Sequence, residues 1–388
     1  MGRTFDLAIV GGGVIGMAHA ILAAEAGLSV ALFETRGRAV GASIRNFGLV
    51  TVTGQKRGPV WSMSLRSRDV WAGVAGRAGV AVLQKGMGVV AQTPEAEAVL
   101  DAFLETEMGA ECFRLSAGEA ADRIPLLRSE RLVGALWSPH ELRVEPRLTL
   151  PALARYLSGF AHASVRFGAP AARIEPGAVV TLAGERVAAK QVIVCTGADA
   201  RSMFPELLAS AGAKLTKLHM LRVVPRAGAG DLAAPAVSDL TLVRYRGFSD
   251  LPEARALAVR LGREAPEMLS DGVHVIAVRS ADGSLVVGDS HHDCEGEADD
   301  PFQPEATDGR ILAAAGDFLD LEGARITERW TGAYVTAPET DWIVEEVAPG
   351  VTLALVIGGK GMTLSFGFAE QVLNKVLGLG PVAALEKR

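Results

Sequence analysis

Cysteine, tyrosine and unbroken apolar runs are scarce in this 388-residue chain. Its three cysteines, Cys112, Cys195 and Cys294, stand far apart and match no metal-ligand spacing. Neither a disulfide framework nor a zinc site is therefore expected, and a reducing, cytoplasmic setting fits. Apolar stretches are cut by His19, Glu25 or Lys360 before reaching the roughly 18 residues a spanning helix requires. The first residues run directly into a strand without a charged-then-apolar leader, so a soluble protein is expected. Positive charge is not in surplus either: 39 Lys+Arg against 45 Asp+Glu leave a net charge of -6, without the electrostatic footprint of a nucleic-acid binder. The chain also lacks a G-x-S-x-G elbow, an H-E-x-x-H pair and a P-loop, which sets aside the chemistries those motifs carry.

What is present is apolar substance, 49% of the residues, in a chain long enough for two domains. Residues 5–34 read FDLAIVGGGVIGMAHAILAAEAGLSVALFE. The run Leu7 to Val10 suits a strand buried on both faces. A helical stretch to Ala26 follows, stopped by Gly27, and a second buried strand from Ser29 to Phe33 ends at Glu34. Between the first strand and the helix lie Gly11, Gly13, Val14, Ile15 and Gly16. Gly11 permits the tight turn, Gly13 lets a pyrophosphate approach the backbone, and Gly16 lets the helix sit close to the sheet. The free N–H groups of the helix start attract the phosphates, and Glu34 is placed to accept from ribose hydroxyls. This is a dinucleotide-binding unit. A carboxylate at Glu34 argues against NADP but does not separate NAD from FAD.

Three further segments make that separation. Residues 41–50 (GASIRNFGLV), 190–201 (KQVIVCTGADAR) and 351–370 (VTLALVIGGKGMTLSFGFAE), together with Val144-Glu145-Pro146, are similar in kind and order to the D-amino-acid-oxidase-like FAD-dependent oxidoreductases, the glycine oxidase and sarcosine oxidase type. The likeness spans nearly the whole chain. It implies an α/β fold: a discontinuous Rossmann-like FAD-binding domain with a second domain built on an antiparallel sheet. It further implies FAD held by Thr35 and Arg36 beside Glu34, by Ala42, Ser43, Arg45, Asn46, Gly48 and Leu49, by Ala171 and Ala172, by Thr196, Gly197 and Ala198, and by Gly358, Gly359, Lys360, Gly361, Met362 and Thr363. No cysteine falls in the C-terminal segment where some relatives attach flavin covalently, so the FAD is expected to be non-covalent. No metal is expected.

The expected cofactor segments are 1–80, 145–213 and 325–388, leaving 81–144 and 214–324 for the substrate domain. There, an amphipathic helix is expected near Glu95–Met108, and strands at Lys217–Val224, Leu240–Tyr245, Val273–Val278 and Leu285–Val287. Ala281-Asp282-Gly283-Ser284 reads as the hairpin turn between the last two.

The resemblance implies oxidation of a small primary or secondary amine. A hydride passes to flavin N5, and the imine is hydrolysed to an aldehyde or oxo acid plus amine. Such chemistry needs positioning more than a dedicated acid or base, so no catalytic residue is assigned beyond Lys360 as an aid to oxygen activation. Candidate substrate-binding residues are Arg45, Arg222, Tyr245, His291 and Lys360, with Arg222 placed on a lid strand facing the cavity and Arg244, Arg246, Arg279, His219 and His292 as further cationic or donor groups. The richness in arginine, with Arg45-Asn46 and His219-Met220-Leu221-Arg222, resembles the branch linked to aminophosphonate breakdown, which implies a substrate such as 2-aminoethylphosphonate or its N-methyl derivative. Three alternatives stay open: a glycine, sarcosine or D-amino-acid oxidase with a single-arginine carboxylate anchor, a dehydrogenase passing electrons to a quinone or carrier instead of oxygen, and a non-catalytic FAD-binding subunit.

Overall fold

The computed structural model describes residues 3–294 and 302–378. The expected segments at 1–2, 295–301 and 379–388 lie outside the described residues.

The strand β1 (Phe5–Val10) is buried along nearly its whole length, as its unalternating apolar sequence requires. The helix α1 (Val14–Glu25) follows, and Gly27, at φ +85°, turns the chain into β2 (Val30–Glu34). β1 sits at the centre of an eight-stranded sheet, flanked by β2 and by the strand Arg186–Val194. Ala163–Phe167 extends the sheet beyond β2, and Val351–Val356 and Trp342–Ala348 extend it on the other side. All pairings along this path are parallel except the last, so the strands end on a common edge. One face is covered by α1 and the helices Pro59–Ala78, Pro146–Ser158 and Gly361–Leu377, whose Leu, Ile, Val and Phe side chains form one core. Pro at the first turn and a left-handed Gly79 bound the longest of these helices. A second core lies on the opposite face.

The second sheet has ten strands among the described residues. Its long pairings are antiparallel: Lys214–Val224 with Arg325–Thr336, and Val82–Ala91 with Gly134–Val144. One short pair, Ala236–Val237 against Gly88 and Val89, is parallel, so the sheet is mixed. Ile276–Arg279 and Leu285–Gly288 form the expected hairpin, with Ser284 N–H bonded to Asp282 in its turn. The expected helix near Glu95–Met108 is Pro94–Leu104, capped by Thr93, and packs on this sheet through Val99, Leu100 and Phe103.

Two features differ from the sequence reading. Leu240–Tyr245 is not a strand: Asp239–Val243 forms a 3-10 turn and Arg246–Ser249 a short helix. Leu240 and Leu242 are both buried, which imitates strand patterning, but Thr241 N–H bonds back to the Ser238 carbonyl instead of to a neighbouring strand. The hydrogen-bonding boundary also lies elsewhere. Arg325–Thr336 and Leu49–Val50, within the expected cofactor segments, pair in the second sheet. Between the sheets Arg143 is wholly buried, donating to the Phe47 carbonyl and to Glu145.

Candidate active site and cofactor cleft

The glycine turn after β1 is closed to any side chain. A Cβ on Gly11, itself at φ +112°, would lie 2.4 Å from the Cys195 carbonyl oxygen, and one on Gly16 would lie 1.9 Å from the Gly11 carbonyl oxygen. These contacts bring the start of α1 against the ends of β1 and of Arg186–Val194, where parallel strands open a crevice. Val14 N–H is capped by Ser43 Oγ at 2.9 Å, which leaves the N–H groups of Ile15 and Gly16 beyond the reach of the helix's own carbonyls. Glu34 receives Gly12 N–H at 2.8 Å through one oxygen and Arg36 N–H at 2.9 Å through the other. The carboxylate is thereby fixed at the tip of β2, with Thr35 and Arg36 exposed beside it.

The other expected cofactor segments gather around this crevice to different degrees. Ala42–Ile44 forms a single 3-10 turn over the start of α1, and Asn46 ties it down by bonding the Ala42 carbonyl and Gly48 N–H. Gly48, at φ +69°, backs onto the Val144 carbonyl, and Leu49 enters the second sheet. Thr196 Oγ1 is buried without a hydrogen-bond partner among the described residues, between Cys195 and the turn at Gly197 and Ala198. Gly358 and Gly359 both have positive φ, and the helix that begins at Gly361 brings its start within 3.9 Å of Val14 for an added Cβ. Two helix N-termini thus converge, the arrangement an anionic cofactor needs. Thr363 Oγ1 accepts from Thr51 N–H, and Met362 offers its carbonyl to Trp71, so these two brace the helix by side chain and backbone. Ala171 and Ala172 follow Gly168 and Ala169, whose N–H groups bond the carbonyls of Arg36 and Glu34 at the nucleotide end. The orphan Thr196 hydroxyl, the side-chain-free turn and the paired helix starts all fit FAD.

Across from Gly359 stands Tyr334, 3.0 Å from where a Cβ on that glycine would sit. Around it the second sheet and its loops assemble Arg244, Tyr245, His274, Asp289 and His291. Tyr245 meets His274 edge-on at 5.3 Å, His274 stacks on His291 at 5.0 Å, and His291 meets Tyr334 at 6.1 Å. Arg244 donates towards the Tyr334 oxygen, and its charge acts on Asp289, His274, His291 and Tyr245. No carboxylate lies within ion-pair distance of Arg244 among the described residues. Burial raises the tyrosine hydroxyls above their ordinary range, so both remain hydrogen-bond donors. Burial likewise pushes Asp289 up to about 7 and holds both histidines well below 6.5, hence neutral.

The expected substrate residues therefore divide. Tyr245 and His291 lie in this cluster. Arg222 does not: it reaches Glu328 at 3.2 Å and Ser284 at 2.6 Å, with Asp282 at 3.8 Å, and so is neutralised within the second sheet. Lys360 is committed to Asp341 at 2.6 Å, which also holds Lys56. Arg45 bonds the carbonyls of Val40 and Thr331, on the wall of a groove of about 1210 Å³ that runs from Gly12 past Arg38 to Trp330. Of the further candidates, Arg246 pairs with Asp250, Arg279 with Asp231, and His219 faces Asp308 at 3.4 Å, its ring 5.5 Å from that of His292. His274 and Asp289 are the members that sequence reasoning passed over, while Arg244 was named only among the further cationic groups.

A family model for FAD-dependent oxidoreductases (DAO) matches residues 6–374. The chain belongs to this family. As a DAO-family flavoprotein it binds FAD. Solved structures that share its fold include glycine oxidase from Bacillus cereus, with a TM-score of 0.76 at 20% identity, covering 99% of this chain and 98% of that one. L-proline dehydrogenase from P. horikoshii gives 0.76 at 16% identity over 99% and 96%. L-alpha-glycerophosphate oxidase from Mycoplasma pneumoniae, solved with FAD bound, gives 0.73 at 18% over 98% and 96%. At these identities the likeness concerns the fold. No curated protein matches the sequence. No described helix of the flavoprotein is long and apolar enough to cross a membrane.

Proposed function

We propose that this flavoenzyme oxidises a small amine carrying an anionic group, and that Arg244 anchors that group. One observation carries the reading: an arginine without a carboxylate partner, flanked by two hydroxyl donors, stands beside the glycine turn of the expected flavin site. A guanidinium offers a planar, two-pronged match to a carboxylate, and Tyr245 and Tyr334 add neutral donors at its edge. FAD supplies the two-electron acceptor. The chain's own task is to hold the substrate's C–H towards it and to limit water, for which the buried sheet wall behind Tyr334 is suited. The product imine is hydrolysed to an oxo acid or aldehyde.

A single arginine without a carboxylate partner among the described residues favours an amino carboxylate. The aminophosphonate reading wants several cations around one anion, and Arg222 and Lys360 are each occupied by carboxylates. It remains the second reading on account of the two hydroxyl donors, Tyr245 and Tyr334, beside Arg244.

Anaerobic mixing of the yellow protein with glycine, sarcosine, D-alanine, 2-aminoethylphosphonate and its N-methyl derivative tests both. Loss of flavin absorbance with one of the amino acids supports the carboxylate anchor. Bleaching by a phosphonate alone transfers the function to the second reading. If all five leave the flavin oxidised, the amine assignment falls and the FAD-dependent oxidoreductase remains.

A further inference from the structure

Four of the chain's seven histidines, at 219, 274, 291 and 292, belong to the second sheet and its loops, and two of them share one aspartate. His274 Nε2 lies 3.3 Å from one oxygen of Asp289, and His291 Nε2 lies 3.7 Å from the other. One ligand atom from each of the three residues lies within 4.8 Å of the other two. We propose that His274, Asp289 and His291 form a binding site for a divalent transition ion of the zinc, manganese or iron type, set beside Tyr245 and Tyr334.

The orientation of the rings supports it. His291 Nδ1 is 3.0 Å from the Gly272 carbonyl, which can only accept, so the proton sits on Nδ1 and the Nε2 lone pair faces the carboxylate. The lone pair and the carboxyl oxygen, 3.7 Å apart and without a hydrogen bond to each other, both point at a place that a cation can fill. His274 Nδ1 lies 3.4 Å from Thr241 Oγ1, a hydroxyl that can donate or accept. An outer hydrogen bond on the far ring nitrogen is the usual support of a metal-ligating imidazole. Asp289 Oδ1, with its side chain 6% exposed, has no hydrogen-bond partner although His274 Nε2 is near. The pair is close but not aligned on each other, as two ligands directed at a shared third point would be.

The backbone makes the grouping rigid. His274 and Asp289 exchange both main-chain hydrogen bonds, and His291 N–H is held by the Asp271 carbonyl. Metal–nitrogen and metal–oxygen distances of about 2.1 Å place tetrahedral ligands roughly 3.4 Å apart, so a movement of about an ångström completes the site. Two imidazoles and a carboxylate suit a borderline ion rather than calcium or magnesium, and three protein ligands leave a coordination position for water or a substrate oxygen.

The test uses the FAD-loaded protein, stripped with a chelator and dialysed against Zn2+, Mn2+ or anaerobic Fe2+, with the metal counted by mass spectrometry. One ion per chain is expected, together with a higher Tm. Asp289→Asn and His291→Gln should each weaken binding at least tenfold while the flavin spectrum is kept, and His162→Ala should leave it unchanged. Should Asp289→Asn not fold, His291→Gln carries the comparison. Wild-type protein that keeps its flavin yet takes up none of the three ions overturns the proposal, as does equal binding by wild type and His291→Gln. The count does not depend on amine turnover, so this proposal and the proposed activity fail separately.

Discussion

Replacing Arg244 with Gln tests the anchor directly. The substitution keeps length and donor capacity but removes the charge and the two-pronged geometry. Hydrogen bonds to charged groups contribute about 1.5–3 kcal/mol, and Arg244 is exposed, so solvent screens part of that. Screening brings the loss to the lower end of that range, substrate binding weaker by roughly 10-fold. Because Arg244 holds no internal carboxylate, FAD content and thermal stability should stay near wild type. Arg222→Gln is the matched control. It breaks the pairs with Glu328 and Ser284, so it should cost stability while moving substrate affinity by less than about threefold. The assay is anaerobic flavin reduction at increasing amine concentration, which reads the dissociation constant apart from the reduction rate. If Arg244→Gln binds the substrate within threefold of wild type, or if Arg222→Gln loses more affinity than Arg244→Gln, the assignment of the anchor is refuted.

Three other outcomes follow from the same structure. Gly16→Ala puts a methyl group 1.9 Å from the Gly11 carbonyl oxygen, so α1 and the turn must separate by about an ångström; we expect a loss of about 1–3 kcal/mol and a visibly reduced FAD-to-protein ratio after desalting. Arg143→Leu strands the half-buried Glu145 between the two sheets and should cost about 3–5 kcal/mol in denaturant unfolding. His19 is buried and held neutral, its pKa pushed down from 6.5 to about 4 by desolvation. Its unfolded form takes up a proton first as the pH falls, so it contributes nothing above about pH 7 and a destabilisation growing to about 3 kcal/mol near pH 4. His19→Gln should remove that part of the acid slope, read as the difference between the two unfolding curves from pH 7 to pH 4.

The nucleotide turn was legible in the sequence because its determinants are local: a strand, three spaced glycines, a helix and an acid within thirty residues. The pairing of the charged groups was not. Arg222 and Lys360 look like free cations until folding brings Glu328, Asp282 and Asp341 to them from distant parts of the chain. Arg244 was named among the cationic groups but placed on the wrong element. Buried Leu240 and Leu242 copied the alternation of a strand, while the chain there is a 3-10 turn that leaves Arg244 exposed at its end. His274 and Asp289 are fifteen residues apart and meet only because the hairpin between them pairs in one register, as Ile276 with Gly288. Tyr245 and His291 were read from residue type and fell beside this pair.

The order of strands in the first sheet has a consequence for how the protein is made. Its centre is β1, yet the neighbours on one side are Arg186–Val194 and Val351–Val356, contributed some 180 and 345 residues later. A ribosome must therefore release nearly all the described chain before this sheet can close. Until then β1 and β2 present apolar edges to the surroundings, the state in which nascent chains aggregate or recruit chaperones. Closure over such sequence separations is slow, and the crevice for FAD exists only once it has happened. Free FAD during expression thus acts late, by capturing chains that have already brought their last strand home.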